Sequence, residues 1–293
     1  MKEIEKDLHF DSNEIIWKDI ISSETNIWRL NIKEIWDYRD LLIIFTKRDI
    51  SAIYKQTFLG PAWFFLQPAL TTIVYLVVFS KAGKISTGNM PPILFYVSGL
   101  VLWMYFSDCV LKTASFLKDN SGILTKVYFP RLIIPLSIVI TNLIKLGIQL
   151  ALFLCVYIYF LVKEPSIRPN LYLLLVPYLI ILLGILGLAS GIIVSSLTTK
   201  YKDLSHLITF AIQLLMFASP VIFPFSSLPD GWLKNLLMAN PVSGIIEAFR
   251  FGFSGQSGLN GGLLLYDTIL IFFLLFLSIV VFNSIERKFV DTI

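Results

Sequence analysis

The sequence predicts an all-α membrane protein: six transmembrane helices, an N-terminal amphipathic interface helix, and a re-entrant helical pair before the last span. Three observations predict it. Hydrophobic residues make up 56% of the chain and charged ones 15%, with mean hydropathy +0.76, which no soluble domain matches. The apolar residues fall in uncharged blocks, near the roughly 20 residues a helix needs to cross a bilayer. After the fifth block the chain does not become a plain hydrophilic loop. Residues 232–239 and 242–253 read instead as two half-apolar helical pieces separated by Asn240-Pro241. Pieces this short suit a re-entrant or interfacial placement. Non-helical backbone at membrane depth survives only where protein buries it or it lines a watery cavity. The pair therefore reads as a mouth or lid over a pathway, and the chain as a channel-forming transporter subunit.

Residues 1–36 mix charges of both signs with Trp17, Trp28 and Trp36, an aqueous arm that either packs on something or is a partly disordered tail. The start, MKEIEKDLHFDSNEII, has no apolar core and is not expected to act as a secretory signal. Residues 37–60 form the amphipathic helix. Ile43, Thr46, Ile50, Ile53, Tyr54 and Thr57 recur at helical spacing, opposite Lys47, Arg48, Ser51 and Lys55. An apolar stripe facing basic residues suits a helix lying in the headgroup plane. Gly60-Pro61 ends it, because proline disfavours helix in the residue before it.

The transmembrane domain occupies 61–293, with spans at about 62–80, 92–111, 132–162, 171–197, 207–225 and 263–285 and the re-entrant gate at 232–253. The third and fourth exceed the usual length, so tilt or helix ends projecting into water are expected. Basic residues cluster on one side of the membrane: Arg39, Lys47, Arg48 and Lys55 before the first span, Lys112, Lys118, Lys126 and Arg131 after the second. Lys200, Lys202, Arg287 and Lys288 fall on the same side, which places both termini in the cytoplasm and the re-entrant pair outside. The net charge of +4 calls for no nucleic-acid partner, since in a membrane protein the position of Lys and Arg is what informs. Cys109 and Cys155 both lie in apolar segments, so no stabilising disulfide is expected.

No enzyme constellation emerges. His9 and His206 are far apart and lack metal-ligand spacing. Gly83-Lys84-Ile85-Ser86 lacks the upstream glycine and the strand-to-helix context of a phosphate loop. If transport uses ATP, another subunit must bind it. Lys145 and Asp108 are charges inside spans, where they face protein or water. They read as a buried ion pair or as Lys145 bonded to carbonyls, with Asp108 alternatively near the interface. Glu247 and Arg250 stand at i and i+3, in position to pair and hold the lid, or to bind a polar substrate. Aromatic residues are abundant and serve either as packing and interface belts or as pore lining that stacks on sugar rings; spacing does not separate the two. The loop 112–130 is polar and basic, with a short amphipathic piece at 113–118, and either docks on a soluble partner or merely connects.

Several short motifs, in order, carry a resemblance. They are Trp36-Asp37-Tyr38-Arg39-Asp40-Leu41-Leu42, Arg48-Asp49-Ile50, and Tyr54-Lys55-Gln56-Thr57-Phe58-Leu59-Gly60-Pro61. Further along stand Lys126-Val127-Tyr128-Phe129-Pro130-Arg131, Tyr201-Lys202-Asp203-Leu204, Ser219-Pro220-Val221, and Asn240-Pro241 with Glu247-Ala248-Phe249-Arg250. Together they make the chain resemble the permease subunits of ABC-2 type exporters of polysaccharides such as O-antigen, capsule and teichoic acid. Lys202 departs from the pattern, where arginine is more usual, but keeps the charge. The resemblance implies a homodimer in the bacterial cytoplasmic (inner) membrane, working with two copies of an ATP-binding cassette subunit that holds ATP and Mg; this chain binds no cofactor. It implies a lipid-linked polysaccharide cargo, O-antigen first. Arg48, Asp49, Tyr54 and Lys55 would belong to the interface helix, and Thr113, Phe116, Lys118 and Ile123 to the ATPase coupling segment. Trp63, Tyr75, Tyr96, Trp103, Tyr105, Phe210 and Phe217 would line the channel. Trp232, Glu247 and Arg250 would form the outer gate.

Three other readings predict different features. An ABC-2 exporter of a small drug or lipid would have a closed cavity in place of a continuous tunnel. A membrane-embedded transferase needs a paired acid or His-Asp site at a membrane face, and the sequence offers none. A secondary transporter would carry inverted repeats and paired intramembrane carboxylates.

Overall fold

The computed structural model describes residues 32–55, 58–198, 203–255 and 261–290. The arm before them lies outside the described residues, as do Gln56, Thr57, Lys200, Tyr201, Lys202 and the side chains of Tyr54, Arg287 and Lys288. Every regular element among the described residues is helical.

Helices α1 (Ile32–Asp37) and α2 (Arg39–Lys55) form one amphipathic rod interrupted at Tyr38. α2 lies against α6 (Ile133–Lys163). The buried stripe differs from the expected one: Phe45 and Thr46 are inside, whereas Ile43 and Ile44 are exposed. The segment from Leu41 to Phe45 is apolar on two faces, and contact with Phe129, ring to ring at 5.7 Å, decides which face turns inward.

The first span is α3 (Ala62–Tyr75), extended by a π-helical stretch over Leu76–Ala82. The second, α4 (Pro92–Asp119), is the axis of the molecule. Its apolar window is 78% buried, against 17% for the first span. A helix that is apolar all round belongs in a core, and α4 is surrounded by α3, α6, α7 (Val176–Thr198) and α8 (Leu204–Phe217). The closest partner is α7, entered through a 3₁₀ turn at Leu171–Leu175. Added Cβ atoms at Gly187 and Gly191 would come within 2.6 Å of Cys109 Cβ and 2.5 Å of Thr113 Cβ. Lipid supplies no hydrophobic drive between helices, so such close backbone approach is what holds them.

Five helical stretches among the described residues are long and apolar enough to cross a membrane, and α8 is shorter. Within the expected fifth span, 207–225, the helix stops at Phe217. Pro220 has no N–H to continue it, and Ser219 turns its hydroxyl back onto Leu215 O at 2.8 Å. The chain goes on through Ser219, Val221 and Ile222, irregular in backbone and fully enclosed by protein. Enclosure is the condition under which such backbone is tolerated in a bilayer. The re-entrant pair follows as α9 (Trp232–Met238) and α10 (Pro241–Ser254), then α11 (Gly261–Val290). Phe282 of α11 meets Phe116 of α4 at 6.3 Å, so the described chain starts and finishes at the same end of the bundle.

Candidate functional site

At the opposite end, α9 and α10 behave differently although the sequence reads them as one lid. α9 is superficial, with Trp232 and Leu236 exposed. α10 is embedded. Asn240 caps it by accepting from Val242 N at 3.1 Å, and its amide donates to Ser219 Oγ at 2.9 Å, tying the hairpin to the broken end of α8. Pro241 sits at the first helical position, where its missing N–H costs nothing. Gly255, at φ +66°, closes the helix in the left-handed conformation that glycine accepts without strain.

Arg250 is the centre of this arrangement. It is buried, and its guanidinium donates to Ser98 Oγ at 3.1 Å, to Phe95 O at 2.9 Å and to Pro220 O, while lying 3.6 Å from the centroid of Phe95. One side chain thereby joins α10, the start of α4 and the turn after α8. Gly99 makes room for it, since a Cβ there would lie 2.5 Å from Arg250 Nη2. The expected mutual pairing of Glu247 and Arg250 is replaced: Glu247 Oε1 accepts from Phe225 N at 3.3 Å. Further along, Asn170 N donates to Gly252 O at 3.2 Å and Tyr157 Oη to Phe253 O at 2.9 Å. Sequence reasoning passes over Asp267 in α11. It is fully buried against Gly244, and neither oxygen has a hydrogen-bond partner among the described residues. A lone acid inside an apolar run is signal enough to find it.

A cavity of about 410 Å³ opens between the hairpin and the loop joining α3 to α4. Thr87, Met90, Phe225, Lys234, Glu247 and Arg250 are among its walls. Lys234 donates to Asp230 at 2.7 Å, holding that carboxyl below its ordinary pKa.

Between α4 and α6 runs a polar seam. Lys145 Nζ reaches Asp108 Oδ2 at 2.6 Å, so the two intramembrane charges form a pair, and Lys112 donates to Asn142 at 3.0 Å. Phe64 of α3 covers Lys145, with Nζ 5.6 Å from its ring centroid.

At the end where the described chain starts, the expected amphipathic piece 113–118 is the last part of α4. Thr113 and Phe116 are buried and present no docking surface. The exposed tip comes next: Lys118, then the short helix α5 (Ser121–Leu124) with Ile123, and beyond it Val127 and Tyr128. Arg48 joins this tip to α2. It pairs with Asp49 at 2.8 Å, donates to Asn120 Oδ1 at 3.3 Å and lies 4.8 Å from the Phe45 ring centroid. Lys55 is exposed at the end of α2.

The candidate channel aromatics separate into two groups. Trp63, Phe210 and Phe217 are exposed on the outside of the bundle. Tyr96, Trp103 and Tyr105 are at most 5% exposed, packed inside this one chain because α4 is its core. Tyr75 stands between the groups, half-buried, its hydroxyl 3.3 Å from Met216 Sδ. No cluster of three or more His, Cys, Asp or Glu that could hold a metal occurs among the described residues.

Residues 40–254 match the family described as ABC-2 type transporter. An O-antigen export system permease protein, RfbA, of Myxococcus xanthus is 31% identical over 220 residues, 75% of this chain and 82% of its own. A protein of the same description from Klebsiella pneumoniae is 26% identical over 258 residues, covering 86% of this chain and 94% of its own. The polysialic acid transport protein KpsM of Escherichia coli is 26% identical over 214 residues, 69% of this chain and 77% of its own.

Proposed function

The chain belongs to the ABC-2 type transporter family, and from that premise we propose that it is the membrane permease of an ATP-driven exporter of a lipid-linked polysaccharide, with an O-antigen glycan as its cargo. Two copies enclose the pathway in the bacterial inner membrane. Two ATP-binding subunits sit beneath them and carry ATP and Mg. The observation that carries the reading is the embedded helix α10, clasped by Arg250 over the end of the bundle, in a chain whose relatives are described as O-antigen and polysialic acid transporters. The excess of Lys and Arg at the opposite end supports cytoplasmic termini.

In this scheme ATP closes the partner dimer against the exposed tip around α5. The Arg48–Asn120 contact passes that push to α2, and α2 passes it to α6. The glycan enters from the inner leaflet and is threaded outward, and exposed rings such as Trp63 and Phe210 stack on sugar faces across the seam between the two copies. Many weak contacts suit threading, because none holds the polymer in place.

The test is deletion of the gene in its own host, followed by surface-glycan blotting and inner-leaflet lipid analysis. The expected result is loss of surface polysaccharide with lipid-linked glycan accumulating inside, restored by the intact gene. Unchanged surface glycan, together with lost efflux of a small drug or lipid, overturns the proposal in favour of a small cargo.

A further inference from the structure

The cavity beneath the re-entrant hairpin has the chemistry of a ligand site, and we infer that it is an exit-side subsite for a neutral sugar ring of the passing polymer. The inference rests on the exporter reading and adds a place where the cargo is held. Its volume, about 410 Å³, falls in the range of roughly 300–1,000 Å³ typical of small-ligand sites. Segments distant in sequence build it: the loop Thr87–Met90, the turn Pro224–Ser226, the facing sides of α9 and α10, and Phe95 near the start of α4. Gly88, at φ +68°, brings the first segment to the second; a Cβ there would be 3.9 Å from both Pro224 Cγ and Ser226 Oγ. The cavity exists only while the hairpin is seated.

The walls mix two kinds of surface. Met90, Phe225 and Met238 supply an apolar patch that suits the C–H face of a pyranose. Asn89 and Ser226 present an amide and a hydroxyl. Glu247 accepts from Phe225 N with one carboxylate oxygen, and its second, with no hydrogen-bond partner among the described residues, can accept from ligand hydroxyls. A carboxylate beside an amide is a pattern that hydroxyl groups satisfy in full, each hydroxyl both donating and accepting.

The charges argue for a neutral ligand. Arg250 lines the cavity, where three of its N–H groups go to Ser98, Phe95 and Pro220 and the Glu247 carboxylate one turn away balances its charge. Lys234 is neutralised by Asp230 at 2.7 Å. With Arg250 set against Glu247 and Lys234 against Asp230, the walls carry no excess positive charge to draw in an anion. A purely apolar guest would strip water from Asn89, Ser226 and Glu247 and return no hydrogen bonds.

The test uses the full-length chain in lipid nanodiscs, with methyl α-D-mannopyranoside, methyl β-D-galactopyranoside and maltotriose as neutral probes and inorganic phosphate as the anionic one. Saturation-transfer NMR reads binding. The expected result is binding of at least one neutral glycoside, unaffected by phosphate, and weakened about fivefold or more in the double variant Asn89→Ala/Ser226→Ala. Both residues are exposed, and an unchanged melting temperature checks that the variant is folded. Preferential binding of phosphate, wild-type binding by the variant, or binding of no neutral probe each overturns the subsite. Surface glycan measured in the same strains keeps the two conclusions apart. Export without glycoside binding overturns the subsite alone, whereas surface glycan that persists after gene deletion overturns the exporter reading.

Discussion

Arg250 shows what a local pattern reveals and what it hides. Its spacing from Glu247 places both on one helix, but spacing along a helix carries no view of the third element that passes nearby. The carbonyls of Phe95 and Pro220 and the hydroxyl of Ser98 outbid the carboxylate one turn away. Removing the guanidinium takes the side-chain donor from Pro220 O, whereas Phe95 O still accepts from Ser98 Oγ at 2.9 Å, so the loss is about 1–3 kcal/mol for the acceptor left unpaired. Arg250→Ala should therefore lower the melting temperature of the purified protein well beyond scatter. Arg250→Lys should recover only part, because an ammonium is a compact point of three donors and lacks the planar spread that reaches Ser98, Phe95 and Pro220 at once. Gly99→Ala should mimic the loss, since its Cβ would occupy the space of Nη2. The double variant Gly99→Ala/Arg250→Ala should melt no lower than the worse single one. Additive losses would separate the two residues. Asp108 and Lys145 were legible as a pair because few charges sit inside apolar runs, whereas Asp267 went unweighed despite the same signal.

Helices announced themselves through long apolar blocks, but their ends did not. α4 outlasts its apolar block by several residues because Thr113, Phe116 and Leu117 remain buried against neighbours that a hydropathy window does not see. α8 ends early because Pro220 and the Ser219 hydroxyl interrupt it, a signal present in the sequence yet outweighed there by the apolar run to Phe225. At the opposite end, α2 meets the α5 tip through Arg48 with Asn120 and Phe45 with Phe129, and α1 meets it where Tyr128 Oη donates to Glu34 Oε1 at 3.4 Å. They predict that Arg48→Ala weakens transmission more than assembly. With the ATP-binding partner present, ATP hydrolysis should persist while glycan delivered per ATP falls several-fold. An unchanged ratio would mean that α2 is not part of the drive.

At the scale of the whole molecule, the arrangement around α4 determines what its aromatics do. Composition supplied the rings, but only the position of α4 at the centre shows that Tyr96, Trp103 and Tyr105 hold this chain together while Trp63 and Phe210 look outward. Trp103→Ala should cost about 3–5 kcal/mol through the cavity it leaves, visible as a lower melting temperature. Trp63→Ala and Phe210→Ala should leave melting unchanged and reduce export. The reverse outcome would exchange the two roles. The glycine contacts of α7 on α4 bear on the same division. Two rods pressed backbone to backbone make a stiff mast, while α8, with Ile212 as its one buried residue, hangs beside it like a loosely hinged shutter. Rigidity is thus concentrated in α4 and α7, so a descendant of this chain can change the exposed face of α8 without loosening the mast.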